Sequence, residues 1–125
     1  MKLVTLLFAV SALALVATGI QAQDPVKVDP KHYKVEFEND QVRVLHIKYA
    51  PGEKSVMHEH PDSVAVFLTD QKAKFTYPDG KSEEVATKAG QTIWIKGGPH
   101  LPENVGDTPL ELILVEMKGK PAKKK

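Results

Sequence analysis

The feature that most constrains the fold of this chain is a series of short segments in which apolar and polar residues alternate. In residues 42–49, one set of alternate positions includes Leu45 and Ile47, and the other includes Val44 and His46. A period of two residues is that of a β-strand, in which successive side chains point to opposite faces. Similar segments recur along most of the chain, which indicates an all-β fold.

Turn sequences separate these segments at regular intervals. The clearest is Tyr-Pro-Asp-Gly-Lys at residues 77–81, where proline favours one turn position and glycine accepts a positive φ. Others lie at residues 50–52, 69–72, 96–99 and 106–109. Between residues 33 and 117, no segment of ten residues has its apolar side chains at helical spacing. We therefore predict one domain of about eight antiparallel strands over residues 33–117, with an extended leader at 23–32 and a basic flexible tail at 118–125.

The first 22 residues have the pattern of a secretory signal peptide. Lys2 supplies a positive start, residues 3–20 contain no charged side chain, and a cleavage point follows Ala22. A retained membrane anchor is the alternative, because such an uncharged segment is just long enough to span a bilayer. Small and polar residues within it favour cleavage. We therefore expect a secreted or periplasmic protein with no membrane association after cleavage.

Charge and cysteine content exclude several classes of function. The chain has 17 basic and 16 acidic residues, and loss of Lys2 with the signal peptide would leave them balanced. This balance gives no electrostatic reason to expect nucleic acid as a partner. The chain contains no cysteine, which excludes a thiolate metal site and a cysteine nucleophile. Histidine and carboxylate chemistry remain.

His58 and His60 form the best candidate site. They lie two residues apart, so on a strand their side chains share a face, with Cα atoms about 6.5 Å apart. Imidazole nitrogens bind zinc and similar ions at about 2.1 Å, so two such rings can converge on one ion. A histidine pair at this spacing also arises by chance, and by itself it indicates metal binding only weakly.

The surroundings of this pair strengthen the indication. Gly52 precedes His58 by six residues, and a second segment begins at residue 90. The matching positions of the two segments are Gly52, His58 and His60, then Gly90, Gly98, His100 and Asn104. Their spacing resembles the two conserved motifs of the cupin superfamily, over roughly residues 33–117. The resemblance implies a cupin-type jelly-roll β-barrel and a metal held by His58, His60 and His100.

One departure from the cupin pattern affects the chemistry. The glutamate ligand expected at position 64 or 65 is replaced by Val64 or Ala65. Three histidines with open positions suit Zn, Fe, Ni, Cu or Mn better than Mg or Ca, and some cupin-like enzymes, such as thiol dioxygenases, use three histidines. Asp62 is the candidate for a fourth ligand, although it follows Pro61 in an apparent turn.

The remaining polar and aromatic candidates have simpler interpretations. We expect His46 to be a hydrogen-bonded strand histidine, with cavity lining as the alternative, and His32 to be solvated. Asn104 is expected to support turn geometry. Core or cavity lining is the interpretation for Phe67, Phe75, Tyr77 and Trp94.

Three functions remain open from the sequence. The first is a metal-dependent dioxygenase, isomerase or decarboxylase acting on a small organic molecule. The second is a non-catalytic barrel that binds a small molecule or a metal, and the third is a metal-free barrel. A homodimer is an alternative to a monomer, because the fold exposes strand edges. Since histidine must be neutral to bind metal, we expect metal to be lost below about pH 6.5.

Overall fold

The computed structural model describes residues 23–119. The predicted signal peptide (residues 1–22) and residues 120–125 of the predicted tail lie outside the described residues. Within residues 23–119, no helix has the length and apolarity needed to cross a bilayer.

In the described part of the chain, one short helix precedes nine strands. The helix α1 spans Pro25–Val28. The strands are β1 Tyr33–Glu38, β2 Val42–Tyr49, β3 His58–His60, β4 Ser63–Phe67, β5 Gln71–Thr76, β6 Ser82–Thr87, β7 Thr92–Ile95, β8 Gly98–Asn104 and β9 Leu110–Met117. The all-β prediction is confirmed. Strand β8 begins within residues 96–99, which we predicted as a turn, because Gly98 pairs with His60 of β3.

The strands form two antiparallel sheets. One sheet has the order β1-β2-β9-β4-β7, and the other has the order β3-β8-β5-β6. The chain passes from the second sheet to the first between His60 and Ser63, so β3 and β4 are consecutive in sequence but belong to different sheets. This two-sheet arrangement confirms the predicted jelly-roll barrel.

The core takes alternate side chains from strands of both sheets. In β9, buried and partly exposed positions alternate along the whole strand, which buries Leu110, Leu112 and Leu114. Burial of each such side chain contributes about 1.5–3 kcal/mol. The buried apolar set is Tyr33, Leu45, Ile47, Tyr49, Ala65, Phe67, Ala73, Leu110, Leu112 and Leu114. In β2, Leu45 and Ile47 therefore mark the inner face, which leaves His46 on the outer one.

The leader at residues 23–32 differs from the predicted extended segment, because it contains α1. Asp24 caps this helix, accepting a hydrogen bond from the Val26 N–H at 3.0 Å, and Pro25 occupies the first turn. Asp-Pro is a sequence signal for a helix start, since proline has the required φ and no N–H to leave unpaired. The segment packs against the barrel and buries Pro25.

The predicted turn at residues 77–81 connects β5 to β6. The Tyr77 N–H donates to the Lys81 carbonyl, and the Gly80 N–H donates to the Tyr77 carbonyl, each at 2.9 Å. Gly80 has a φ of +84°, which an L side chain adopts only with strain. Glycine is therefore required at this position, as the sequence indicated.

Candidate metal centre

The three predicted histidine ligands come together where β3 and β8 pair. His58 lies opposite His100 in the register of these strands, and His60 follows His58 on the same face. The ring centroids are 4.9 Å apart for His58 and His60, 4.9 Å for His58 and His100, and 5.3 Å for His60 and His100. One nitrogen from each ring lies within 4.8 Å of the others, so these three residues could hold one metal ion.

Hydrogen bonds fix the tautomers of two of these rings. The Nδ1–H of His58 donates to the Val56 carbonyl at 2.8 Å, with Ser55 Oγ also near at 3.2 Å. The Nδ1–H of His60 donates to Glu116 Oε2 at 2.7 Å. In its neutral form an imidazole has one N–H, so with Nδ1 protonated the Nε2 atom of each neutral ring carries a lone pair. These two atoms face each other at 3.1 Å.

Burial keeps His58 and His100 neutral. It lowers the pKa of His58 to about 4, with electrostatic repulsion between His58 and His60 as the second cause. It also lowers the pKa of His100 to about 3, with smaller contributions from His60 and His58. His100 Nε2 is buried and has no hydrogen-bond partner among the described residues. Neutral rings with free lone pairs are the form of histidine that binds metal.

The donor set fits a transition-metal ion. His58 Nε2 and His60 Nε2 lie 3.1 Å apart, so in the neutral rings both nitrogens can donate a lone pair to one ion. Imidazole nitrogens suit Zn, Fe, Ni and Cu, whereas Mg and Ca prefer oxygen. The unpartnered Nε2 of His100 adds a third donor to the same group. The structure therefore brings the three residues chosen from the sequence into one cluster.

Glu116 is a site residue that the sequence motifs did not indicate. Its side chain is 2% exposed, and its second carboxylate oxygen accepts a hydrogen bond from Arg43 Nε at 2.6 Å. Arg43 in turn donates to both carboxylate oxygens of Asp24. Burial acts to raise the pKa of Glu116, but the hydrogen bonds from His60 and Arg43 outweigh it and hold the pKa below its usual range. A charged carboxylate behind His60 orients the ring.

A sequence signal for Glu116 was available. It lies two residues beyond Leu114 in β9, in phase with the three leucines that face the core. A charged residue in phase with a core face needs a buried partner. That partner set is His60 together with Arg43.

Two buried tyrosines form a second group that the sequence motifs did not indicate. The hydroxyl oxygens of Tyr33 and Tyr49 are 2.5 Å apart, and Tyr33 Oη lies 3.1 Å from His58 Nε2. Burial raises the pKa of both phenols above the ordinary value. Both hydroxyls are therefore neutral at physiological pH in the structure as it stands.

His32 is buried, which corrects our expectation that it is solvated. It is 7% exposed and stacks on Tyr49, with ring centroids 4.1 Å apart and planes at 7°. Its Nδ1 lies 2.7 Å from Asp29 Oδ2, and the same carboxylate oxygen accepts a hydrogen bond from the Ser55 hydroxyl. The expectation was wrong because the leader folds against the barrel.

Asp62 lies apart from the three histidines. It is exposed, and its Oδ1 accepts a hydrogen bond from the Gly97 N–H at 2.7 Å. It therefore links the β3–β4 connection to the segment before β8, which is a turn-stabilising role. Val64 and Ala65, at the positions of the expected glutamate, bring no carboxylate to the site, and Ala65 is fully buried.

The structure also decides the remaining candidates. His46 lies on the outer face between Glu36 (3.3 Å) and Glu111 (2.6 Å), so cavity lining was the wrong alternative for it. Trp94 is 60% exposed and is not a core residue, because Ile93 and Ile95 take the more buried places in β7. It is part of the wall of the cavity that borders the histidines, which is the second interpretation given for it.

Asn104 supports turn geometry, as predicted. Its Nδ2 donates to the carbonyls of Tyr49 (3.2 Å) and Thr108 (2.9 Å). Its Oδ1 accepts from the Gly106 N–H at 3.0 Å. The side chain is 1% exposed and joins β8 to the loop before β9.

A cavity of about 320 Å³ lies next to the histidines. His60, His100 and Tyr33 are part of its wall. Apolar side chains complete much of the rest, among them Phe75, which stacks on His100 at 5.3 Å. The candidate metal centre therefore borders a space that a small molecule can occupy.

Comparison with known proteins agrees with this architecture. A cupin domain from Bordetella pertussis Tohama I is 26% identical, with a TM-score of 0.64, over 70% of this chain and 92% of its own. A Klebsiella pneumoniae protein with a double-stranded β-helix domain is 23% identical, with a TM-score of 0.57, over 70% of this chain and 76% of its own. An RmlC-like cupin family protein from Methanocaldococcus jannaschii is 20% identical, with a TM-score of 0.54, over 71% and 83%.

The last two likenesses, below 25% identity, concern the fold alone. No curated protein matches the chain. The sequence model of the family described as "Cupin domain" matches residues 45–116, which include all three clustered histidines and more than half of the chain. This chain belongs to the cupin domain family.

Proposed function

We propose that this protein binds a divalent transition metal through His58, His60 and His100 and acts on a small organic molecule in the adjacent cavity. The observation that carries the proposal is the buried approach of His58 Nε2 and His60 Nε2 to 3.1 Å. His100 Nε2, which has no hydrogen-bond partner among the described residues, completes a group of three nitrogens that could hold one ion.

The cavity supports a substrate of low polarity. A metal bound here would act as a Lewis acid and a template for the reacting molecule. Aromatic and aliphatic walls, including Phe75 and Leu112, would exclude water from a bound molecule. His60 and His100 lie both in the cluster and in the cavity wall, so a bound molecule would meet the centre directly. We propose a dioxygenase, isomerase or decarboxylase type of reaction.

Export of the chain is part of this proposal. It is supported by the sequence of residues 1–22, with its positive start and uncharged segment. A secreted or periplasmic barrel without cysteine would then acquire its metal without a thiolate ligand.

Metal analysis of the untagged protein tests the site. We expect about one equivalent of metal per chain in the wild type and in His46→Ala, which removes a histidine of the outer face. We expect strong loss in His100→Ala. Less than about a tenth of an equivalent in the wild type, or equal metal content in His100→Ala, would refute the metal centre.

Activity is tested separately. Oxygen consumption and product formation are measured with thiols, phenols and diketones, using metal-loaded wild type and His100→Ala. Turnover that depends on His100 supports an enzyme. Stoichiometric metal without turnover of any of these classes would count against the proposed chemistry while leaving the metal centre intact.

A further inference from the structure

We propose that the phenol oxygen of Tyr33 is a fourth protein ligand of the metal, an inference that rests on the three-histidine centre proposed above. Tyr33 begins β1, in the other sheet from the histidines, and is 3% exposed. It would take the place of the glutamate ligand of the cupin pattern, which this chain lacks because it has Val64 and Ala65 at those positions.

The distances fit ligation of one ion. Tyr33 Oη and His60 Nε2 each lie 3.1 Å from His58 Nε2. Two ligand atoms bound to one ion at about 2.1 Å are separated by roughly 3.0–3.4 Å for octahedral or tetrahedral angles. The Tyr33 oxygen therefore lies at the same distance from His58 Nε2 as His60 Nε2 does.

Metal binding also removes the hydrogen bond that Tyr33 makes with His58. In the structure the hydroxyl of Tyr33 can donate to His58 Nε2, whose lone pair is free because Nδ1 carries the proton. An ion on Nε2 takes that lone pair, so the hydroxyl loses its acceptor there. The buried oxygen would then lie next to a cation, which would favour its ligation, with the phenol proton released to solvent.

Tyr49 is placed to support the oxygen once its proton is gone. Its hydroxyl lies 2.5 Å from Tyr33 Oη and can donate to it. The Tyr49 ring stacks on the ring of His32, and His32 Nδ1 is hydrogen-bonded to Asp29 Oδ2. A phenolate with a short hydrogen bond from a fixed donor is stabilised.

Charge gives a further reason for an anionic ligand. Three neutral imidazoles leave the charge of a divalent ion uncompensated in a buried site. Among residues 23–119, no carboxylate joins the group of histidine nitrogens, and Glu116 contacts His60 only through the far nitrogen, Nδ1. The hydroxyl of Tyr33 is the one neighbour of His58 Nε2, among the contacts described, that becomes an anion on losing a proton.

A spectroscopic test separates ligation from packing. The purified full chain, freed of metal, is loaded with ferric ion supplied as its nitrilotriacetate complex, and visible absorption and resonance Raman spectra are recorded. Phenolate bound to ferric iron gives a charge-transfer band that enhances tyrosine ring vibrations. We expect the band in the wild type, with vibrations that shift when the protein contains ring-deuterated tyrosine, and its loss in Tyr33→Phe.

The chain has three tyrosines, and Tyr77, which hydrogen-bonds Glu83 instead of a histidine, is the matched control. Tyr77→Phe should keep the band unchanged. Tyr49→Phe should keep the band at a shifted energy, because the hydrogen bond to the phenolate oxygen is lost. If Tyr33→Phe does not fold, retention of the band in these two variants assigns it to Tyr33. A wild type that binds one ferric ion without the band, or a folded Tyr33→Phe that keeps the band, overturns the inference.

Zinc binding distinguishes failure of this inference from failure of the proposed function. Tyr33→Phe should still bind one zinc ion, with an affinity lower by at least about tenfold. If the wild type binds zinc through His100 but shows no ferric band, Tyr33 is not a ligand and the three-histidine centre stands. If the wild type binds no zinc, the proposed function itself is wrong.

Discussion

Replacement of Glu116 by glutamine should weaken both the fold and the metal centre. The carboxylate is 2% exposed and accepts two short hydrogen bonds, from His60 Nδ1 at 2.7 Å and from Arg43 Nε at 2.6 Å. Glutamine offers one oxygen and one NH₂ group. One of the two donors would therefore face another donor, and the other would keep only a bond to a neutral oxygen.

The magnitude follows from these two bonds. A hydrogen bond to a charged group contributes about 1.5–3 kcal/mol, and a neutral one about 0.5–1.5 kcal/mol. Losing one charged bond and weakening the other lowers the free energy of unfolding by about 2–4 kcal/mol. In a domain of this size, that shift lowers Tm by at least about 8 °C. Because His60 loses its anionic partner, zinc affinity should fall by about 10–100-fold.

Urea denaturation of the metal-free protein and zinc competition with a chromogenic chelator measure the two effects. The matched control is Glu111→Gln, which also removes a carboxylate from a histidine, since Glu111 lies 2.6 Å from His46 on the outer face. Because the side chains of His46 and Glu111 are both about 30% exposed, Glu111→Gln should lower the free energy of unfolding by less than about 1 kcal/mol. It should leave the zinc affinity unchanged. Equal stability and equal zinc affinity in the two variants would refute the role assigned to Glu116.

The remaining predictions concern pH, Asn104 and Asp62. In the metal-free protein, the folded pKa values of about 4 for His58 and about 3 for His100 lie below the usual 6.5, so the unfolded state takes up protons first. Stability should be fully present above pH 6.5 and fall as the pH drops towards 4; a urea midpoint that stays constant from pH 7 to 4.5 would contradict this. With metal present, the same low pKa values mean less competition from protons, so metal should persist below the pH of 6.5 expected from sequence. Asn104→Ala should lower the free energy of unfolding by about 2–4 kcal/mol, because a buried side chain loses three hydrogen bonds. Asn39→Ala, whose two hydrogen bonds are exposed, should lower it by about 1 kcal/mol or less. A smaller effect at Asn104 than at Asn39 in thermal unfolding would be inconsistent with this assignment. Asp62→Ala should leave metal content unchanged, as measured by elemental analysis, and a loss of metal there would show that Asp62 contributes to the centre.

Much of the fold was predictable because its signals are local. The alternation in β9 and the turn at residues 77–81 each depend on a few consecutive residues. The short helix α1 was also signalled locally, by Asp24 and Pro25, but its four residues are too few to show a helical period. For Trp94 the sequence left core and cavity lining open, because aromatic character alone does not say which face of a strand is buried, and the structure places it in the cavity wall.

The candidate site was predictable only where its residues follow a spacing. His58 and His60 share a face of one strand, and His100 belongs to a motif of recognisable spacing. Glu116 and Tyr33 belong to no such motif, and they lie 56 and 25 residues from the histidines that they contact. Nothing in the local sequence of Tyr33 distinguishes it from Tyr77, which follows β5 and bonds Glu83.

The amino-acid sequence thus determined the strand class, the main turns and the three histidines, because alternation, glycine conformation and side-chain spacing are properties of short segments. Which face of β2 points inward, which carboxylate meets His60 and which tyrosine approaches His58 were decided by the tertiary structure. The contacts of the site join residues far apart in the sequence, with 73 positions between Arg43 and Glu116. They exist only once the order of the strands places β2 beside β9 and brings β1 over the histidines of the other sheet.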